Sequence, residues 1–159
     1  MTGLPRREYL RATVATGVVG IAGCGGNGGG GDGENCSPLP DEPNYGGWFS
    51  NVSNYHRTCD RRGVGLVEVT VGAQGNNAFW AFAPPAIAVT PGTTVRWLWN
   101  GKGGPHNVVE TRGVFDSGRP VEGANNQFEY TFQSPGVFRY ACEPHESAGM
   151  KGAVFVAIE

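Results

Sequence analysis

Alternation of apolar and polar residues marks several runs of the chain from about Trp48 onward. It is cleanest in LVEVTV (66–71), TTVRWLWN (93–100) and QFEYTFQ (127–133), where every second side chain is apolar. A period of two is typical of β-strands that bury one face and expose the other. Turn-forming residues separate the runs, and the chain carries 27 Gly and 11 Pro. The pattern predicts an all-β, Greek-key sandwich of antiparallel or mixed strands.

The N-terminal residues have the composition of an export signal. PRREYLRAT carries Arg6-Arg7 and resembles a twin-arginine signal. The apolar run that follows, residues 12–23, is too short to cross a bilayer core of about 30 Å as a helix. It ends in IAGC, a lipobox-like sequence that predicts lipidation of Cys24. The alternative is an uncleaved N-terminal anchor in which this cysteine is incidental.

These features divide the chain into three parts. We expect residues 1–23 to be a twin-arginine-type lipoprotein signal peptide, 24–43 a tether and 44–159 the folded domain. The tether includes GGNGGGGDGEN, a composition that behaves as a flexible coil. Two acyl chains on Cys24 would supply the two signals that stable anchoring needs. The predicted location is therefore the outer face of the cell membrane, reached by export.

The chain has four cysteines. Cys24 is assigned to lipid and Cys142 to the motif described next, which leaves Cys36 and Cys59. An even remainder in an exported protein is most simply a disulfide. Two free thiols are the alternative.

YACEPHESAGM (140–150) sets Cys142, His145 and Met150 at the spacing C-x2-H-x4-M. The phase of the preceding strand turns the cysteine inward with the aromatic residues, where a thiolate is unfavourable unless a positive charge pairs with it. A second imidazole is available upstream at His106, in GGPHNVV. The next residue, Asn107, is predicted to hydrogen-bond across to the Cys142 loop; the alternative is that it only satisfies a turn.

Two His, one Cys and one Met form the ligand set of a blue-copper electron-transfer site. Structural zinc favours at least two thiolates and rarely uses Met, and an iron–sulfur cluster needs more thiolates than one. Four ordinary buried residues are the remaining alternative. The sequence therefore predicts one type 1 copper per chain, held by His106, Cys142, His145 and Met150.

Several functional classes are disfavoured by composition. A formal net charge of −2 offers no basic surface for nucleic acid. Three histidines cannot supply the extra centres of a multicopper enzyme, so no enzymatic activity is expected. A copper carrier or storage lipoprotein remains open beside electron transfer, and a metal-free adhesive sandwich is argued against by Cys142 with His145.

Most of the chain beyond residue 47 resembles the halocyanins, small blue copper proteins of halophilic archaea related to plastocyanin. The resemblance rests on GGWFSNVSNY, FAPPAIAVTPGTTVRWLWNGKGGPHNVV, FDSG and FQSPGVFRYACEPHESAGMKGAVFV. It implies a cupredoxin fold, copper at the four predicted ligands, and a role as a mobile or tethered electron carrier.

The partners expected of such a carrier are redox donor and acceptor proteins that dock transiently. The imidazole edge of His145 is the predicted exit for the electron. A small apolar patch is predicted around it; its members are Gly104, Pro105, Pro144, His145 and Ala148. We expect a monomer.

Overall fold

The computed structural model describes residues 36–158, which form two β-sheets. The first sheet has five strands, in spatial order β1 (Cys59–Asp60), β4 (Ala86–Val89), β9 (Lys151–Val156), β8 (Gly136–Ala141) and β6 (Val109–Glu110). The second has four, in spatial order β3 (Ala78–Ala83), β2 (Leu66–Gly75), β5 (Thr93–Asn100) and β7 (Ala124–Phe132). Each sheet contains both parallel and antiparallel pairs. The all-β prediction is confirmed.

Burial along the strands follows the alternation of the sequence. In β5, Val95, Trp97 and Trp99 are buried, whereas Arg96 and Leu98 between them are half-buried. β2 likewise buries its alternating valines. One face of each strand therefore supplies the core, as a period of two requires.

Aromatic side chains fill the space between the sheets. Trp97 of β5 meets Tyr140 of β8 edge to face, with ring centroids 5.3 Å apart. Phe82 of β3 packs on Tyr140 in the same manner at 4.9 Å, and all three side chains are fully buried. Such pairs add about 0.5–1.5 kcal/mol beyond the burial of area. Because the paired rings come from opposite sheets, they hold the two layers of the predicted sandwich together.

Residues 36–58, called the N-terminal segment below, pack onto the sandwich in turns and bends without a helix. A disulfide joins Cys36 to Cys59 (S–S 1.98 Å), the pair left over by the cysteine count. Leu39 is buried, and its N–H donates to the carbonyl oxygen of Thr58 at 3.0 Å. The packed region thus includes Cys36 and Leu39, which precede the domain start expected at Asn44.

No helix within residues 36–158 is long and apolar enough to cross a membrane. The predicted signal peptide, Cys24 and the Gly-rich stretch of the tether lie outside the described residues.

Candidate metal centre

Cys142 directly follows β8 and lies inside the sandwich. The strand buries Phe138 and Tyr140, and the same phase buries Cys142 fully. Burial raises the pKa of the Cys142 thiol, whereas hydrogen bonds from the backbone N–H groups of Asn107 and His145 lower it. Because desolvation dominates, a thiolate here needs a positive partner.

His106 lies in the loop between β5 and β6 and is almost completely buried. Its backbone exchanges two hydrogen bonds of 3.0 Å with Val121, and its Nε2 lies 2.7 Å from the carbonyl oxygen of Lys102. Since a carbonyl only accepts, Nε2 carries the proton and Nδ1 keeps its lone pair. That Nδ1 lies 3.6 Å from Sγ of Cys142. Burial also lowers the pKa of His106, which favours the neutral imidazole that binds metals.

His145 closes a 3₁₀ turn, Glu143–His145, immediately after the cysteine. Its N–H donates to the carbonyl oxygen of Cys142 at 3.1 Å, and its Nδ1 lies 3.5 Å from Sγ. Burial, and then the nearby His106, lower the pKa of His145. Both imidazoles therefore present Nδ1 to one sulfur atom.

Met150 ends the same loop and is fully buried. Its N–H donates to the carbonyl oxygen of His145 at 3.0 Å, and its carbonyl oxygen accepts from the N–H of Cys142 at 3.0 Å. Gly149 before it has φ +103°, and a Cβ there would overlap the carbonyl oxygen of Asn51. Only glycine fits this approach, and the loop thereby returns Met150 beside Cys142.

The ligand atoms of His106, Cys142 and His145 lie within 4.8 Å of one another. The Nδ1 atoms of two imidazoles face the sulfur of Cys142, and the buried Met150 is joined to Cys142 through its backbone. Once the thiol is deprotonated, these residues offer the soft donor set that suits copper. Only one thiolate is present in the group, which fits structural zinc poorly.

The sequence profile of copper binding proteins of the plastocyanin/azurin family matches residues 67–157. This chain belongs to that family. The halocyanin of Natronomonas pharaonis is 50% identical to it over 100 residues, which cover 61% of this chain and 60% of the relative. The chloroplastic plastocyanin of Physcomitrium patens is 38% identical over 97 residues, covering 55% of this chain and 57% of the relative. The resemblance to halocyanins is thus confirmed, over about 60% of that relative's length.

Two solved cupredoxin structures each align with more than half of the chain. A Cu(I) amicyanin mutant is 26% identical, covers 58% of this chain and 83% of its own, and gives a TM-score of 0.47. The oxidised plastocyanin of Dryopteris crassirhizoma is 26% identical, covers 57% of this chain and 100% of its own, and gives a TM-score of 0.47.

In this cupredoxin the four predicted ligands form a candidate copper site. His106 and His145 would bind the metal through Nδ1, Cys142 through Sγ and Met150 through its thioether. Copper, when bound, supplies a one-electron couple between Cu(I) and Cu(II). The chain itself holds the donors in place, fixes the tautomer of His106 and keeps water from the buried sulfur.

Asn107 links the two loops that carry the ligands, and it is fully buried. Its Oδ1 accepts from the N–H of Glu143 at 2.9 Å. Its Nδ2 donates to Oε2 of Glu143 at 2.6 Å and to the carbonyl oxygen of Gly118 at 3.0 Å. The hydrogen bond predicted between Asn107 and the Cys142 loop is present in the structure.

The predicted docking patch lies at the surface end of this centre. Gly104, Pro105 and Pro144 are exposed, and His145 and Ala148 are half-buried. His56, by contrast, is exposed in the N-terminal segment and is not part of the ligand group.

Two residues at the centre were missed by the sequence analysis. The indole of Trp80 stacks on the imidazole of His145. Asn76 is buried, and its Nδ2 donates to the carbonyl oxygens of Trp80 and Gly149 at 2.7 and 2.8 Å. A signal existed for Asn76: it opens an Asn-Asn turn, where asparagine tolerates positive φ. No periodic pattern pairs Trp80 with His145, which lies far along the chain.

Proposed function

We propose that this protein is a one-electron carrier that cycles copper between Cu(I) and Cu(II), anchored by lipid at the outer face of the cell membrane. The observation that carries the proposal is the convergence of two Nδ1 atoms, at 3.5 and 3.6 Å, on one buried cysteine sulfur. Membership of the copper-binding plastocyanin/azurin family supports it.

Fast one-electron transfer requires ligands that move little between the two oxidation states. The loop that carries three of them is closed by the backbone pair of Cys142 and Met150. The loop that carries His106 is held by the backbone hydrogen bonds between His106 and Val121. The carbonyl oxygen of His106 also accepts a hydrogen bond from Nε1 of Trp99 at 3.1 Å. These bonds favour a fixed cage over a site that opens to release its metal, and therefore favour relay over storage.

The route for the electron follows from exposure. Cys142, His106 and Met150 are buried, whereas His145 is half-buried at the surface. The members of the surrounding patch are uncharged apart from the imidazole itself, and the exposed Glu143 and Glu146 flank them in the chain; the members are Gly104, Pro105, Pro144, His145 and Ala148. A patch of this kind suits brief docking of redox donors and acceptors, whose interfaces fall below about 1,200 Å². We propose a monomeric carrier rather than an enzyme.

One visible spectrum tests the function. The purified protein, loaded with Cu(II), should be intensely blue and should bleach with ascorbate. Cys142→Ser removes the thiolate and should abolish the colour, which makes it the matched control. A colourless protein that binds copper would favour the carrier or storage role, and a protein that takes up only zinc would overturn both.

The lipid anchor is tested separately in cells that express the full chain. Cys24→Ala removes the predicted acylation site and should release the protein from the membrane fraction, whereas the unchanged chain should require detergent. Equal retention of both proteins in the membrane would contradict the anchor and leave the copper proposal untouched.

A further inference from the structure

Trp80 lies against the ligand that the proposed function uses as its electron exit. The rings of Trp80 and His145 are nearly parallel, with an interplanar angle of 16° and centroids 4.7 Å apart. This is a stacked pair, in which the indole covers one face of the imidazole.

The two histidine ligands are held by different means. His106 is fixed through Nε2, which donates to the carbonyl oxygen of Lys102. Among residues 36–158 the imidazole of His145 has no comparable hydrogen bond to a backbone oxygen; its contacts are the sulfur of Cys142 and the rings of Trp80 and His106. Since burial is also less complete at His145, the stacked indole is the main restraint on the plane of its ring.

Trp80 is itself anchored at two points. Its Nε1 donates to the carbonyl oxygen of Gly103 at 3.0 Å, in the loop that leads to His106. Its own carbonyl oxygen accepts from Nδ2 of Asn76 at 2.7 Å. Gly103 has φ +85°, and a Cβ there would overlap the carbonyl oxygen of Phe79, so this loop lies directly on β3. The indole therefore bridges the loop of one histidine ligand and the ring of the other.

We infer that Trp80 is a positioning residue for the copper site: it fixes the plane of the His145 imidazole, with Nδ1 toward Cys142, and shields one face of that ring. The inference rests on the proposed copper site, but its first tests need no copper. Two substitutions separate the effects. Trp80→Phe keeps an aromatic face while it loses the bond to Gly103, and Trp80→Leu loses both.

The first test measures the accessibility of histidine in the metal-free protein. Diethyl pyrocarbonate modifies exposed imidazoles, and peptide mass spectrometry gives the rate at each of the three histidines. His56 is exposed and His106 buried, so they are internal references. Trp80→Leu should raise the rate at His145 several-fold, up to about tenfold, since the stacking energy corresponds to a factor of this size. Trp80→Phe should stay near the wild-type rate.

Equal rates at His145 in wild type, Trp80→Phe and Trp80→Leu would overturn the inference. Should Trp80→Leu fail to fold, proton NMR of the metal-free wild type decides the question. The ring protons of His145 should be shifted upfield by the indole relative to those of His56, and unshifted protons would refute the stacking.

The copper-loaded protein adds a second readout. Trp80→Leu should change the reduction potential and the blue absorption band, and Trp80→Phe should restore both toward wild type. Identical potentials in all three proteins would contradict a positioning role. A wild type that never turns blue would refute the proposed function alone, because the metal-free measurements would stand.

Discussion

At the scale of single residues, Asn107 has two independent connections to the Cys142 loop. Its backbone N–H lowers the pKa of the Cys142 thiol, and its side chain binds both the N–H and the carboxylate of Glu143. A substitution of the side chain leaves the first connection intact. The two contributions can therefore be separated.

Asn107→Ala removes the side-chain bonds and keeps the backbone N–H that lowers the pKa of the Cys142 thiol. We expect the free energy of unfolding of the metal-free protein to fall by about 1–2 kcal/mol, and the reduction potential to shift because the loop is less restrained. Chemical denaturation and voltammetry measure the two effects. Glu143→Gln is the matched control, because it keeps the backbone N–H that binds Asn107 Oδ1 and should change both quantities less. An unchanged potential in Asn107→Ala would show that the side chain does not brace the site.

Gly149 marks the tightest backbone approach in the ligand loop. Gly149→Ala places a Cβ at a residue with positive φ, and this Cβ would overlap the carbonyl oxygen of Asn51. We expect these two effects together to lower the free energy of unfolding by at least about 3 kcal/mol. Gly113→Ala is the control: its φ is +79° and a Cβ there meets nothing within 4 Å, so only the backbone cost of about 1–2 kcal/mol applies. Thermal unfolding of the two metal-free variants gives the comparison. Equal losses would mean that the loop can move away from Asn51.

At the scale of elements, the turn between β2 and β3 joins three parts of the molecule through Asn76. Its Oδ1 accepts from the N–H of Ser53 at 2.8 Å, and its own N–H donates to Oγ of Ser53 at 2.6 Å. Its Nδ2 reaches Trp80 and Gly149. One side chain thus connects the N-terminal segment, β3 and the ligand loop.

The Asn-Asn turn allows a test in which backbone effects cancel. Asn76 and Asn77 have φ of +57° and +67°, and glycine relieves the left-handed conformation equally at both. Asn76→Gly loses three side-chain hydrogen bonds and should lower the free energy of unfolding by about 2–3 kcal/mol. Asn77 is exposed, so the free energy of unfolding of Asn77→Gly should stay within about 0.5 kcal/mol of the wild-type value. Denaturant unfolding of the metal-free proteins measures both, and similar stabilities would remove Asn76 from its connecting role.

What the sequence could predict also divides by element. The strands could be predicted because apolar residues such as Val95, Trp97 and Trp99 recur at every second position. The ligand loop could be predicted because Cys142, His145 and Met150 lie close together in the sequence. Contacts such as Trp80 with His145 join segments that are distant along the chain, and no local period encodes which strand lies beside which loop. The packing of Leu39 was missed for a related reason, since its N–H pairs with Thr58, which lies 19 residues further along the chain.

At the scale of the whole molecule, the N-terminal segment adds a layer outside the strands and contacts the ligand loop. Nε1 of Trp48 donates to the carbonyl oxygen of Gly152 at 2.9 Å. Oδ1 of Asn51 accepts from Nζ of Lys151 at 2.9 Å, and its Nδ2 donates to Ser147. The disulfide closes this segment onto β1. The segment therefore stabilises the sandwich near the site without supplying any ligand.

Opening the Cys36–Cys59 disulfide should therefore lower stability while the copper site keeps its ligands. The bond spans a sequence separation of 23, and releasing a loop of this size costs about 3 kcal/mol on the chain-entropy model. Denaturant unfolding of the metal-free Cys36→Ala/Cys59→Ala variant tests this. Reduced wild type is the control that keeps both sulfur atoms, so the difference between the two proteins isolates the packing of the buried Cys36 and Cys59 side chains. The amide of Leu39 should exchange with solvent faster in both proteins, because the ends of the segment are no longer joined.

The copper-loaded variant should remain blue, since all four ligands come from residues 106–150. Unfolding free energies equal to that of oxidised wild type would show that the turns keep the N-terminal segment packed without the disulfide. A variant that folds but loses its blue colour would show that the segment affects the geometry of the ligands themselves.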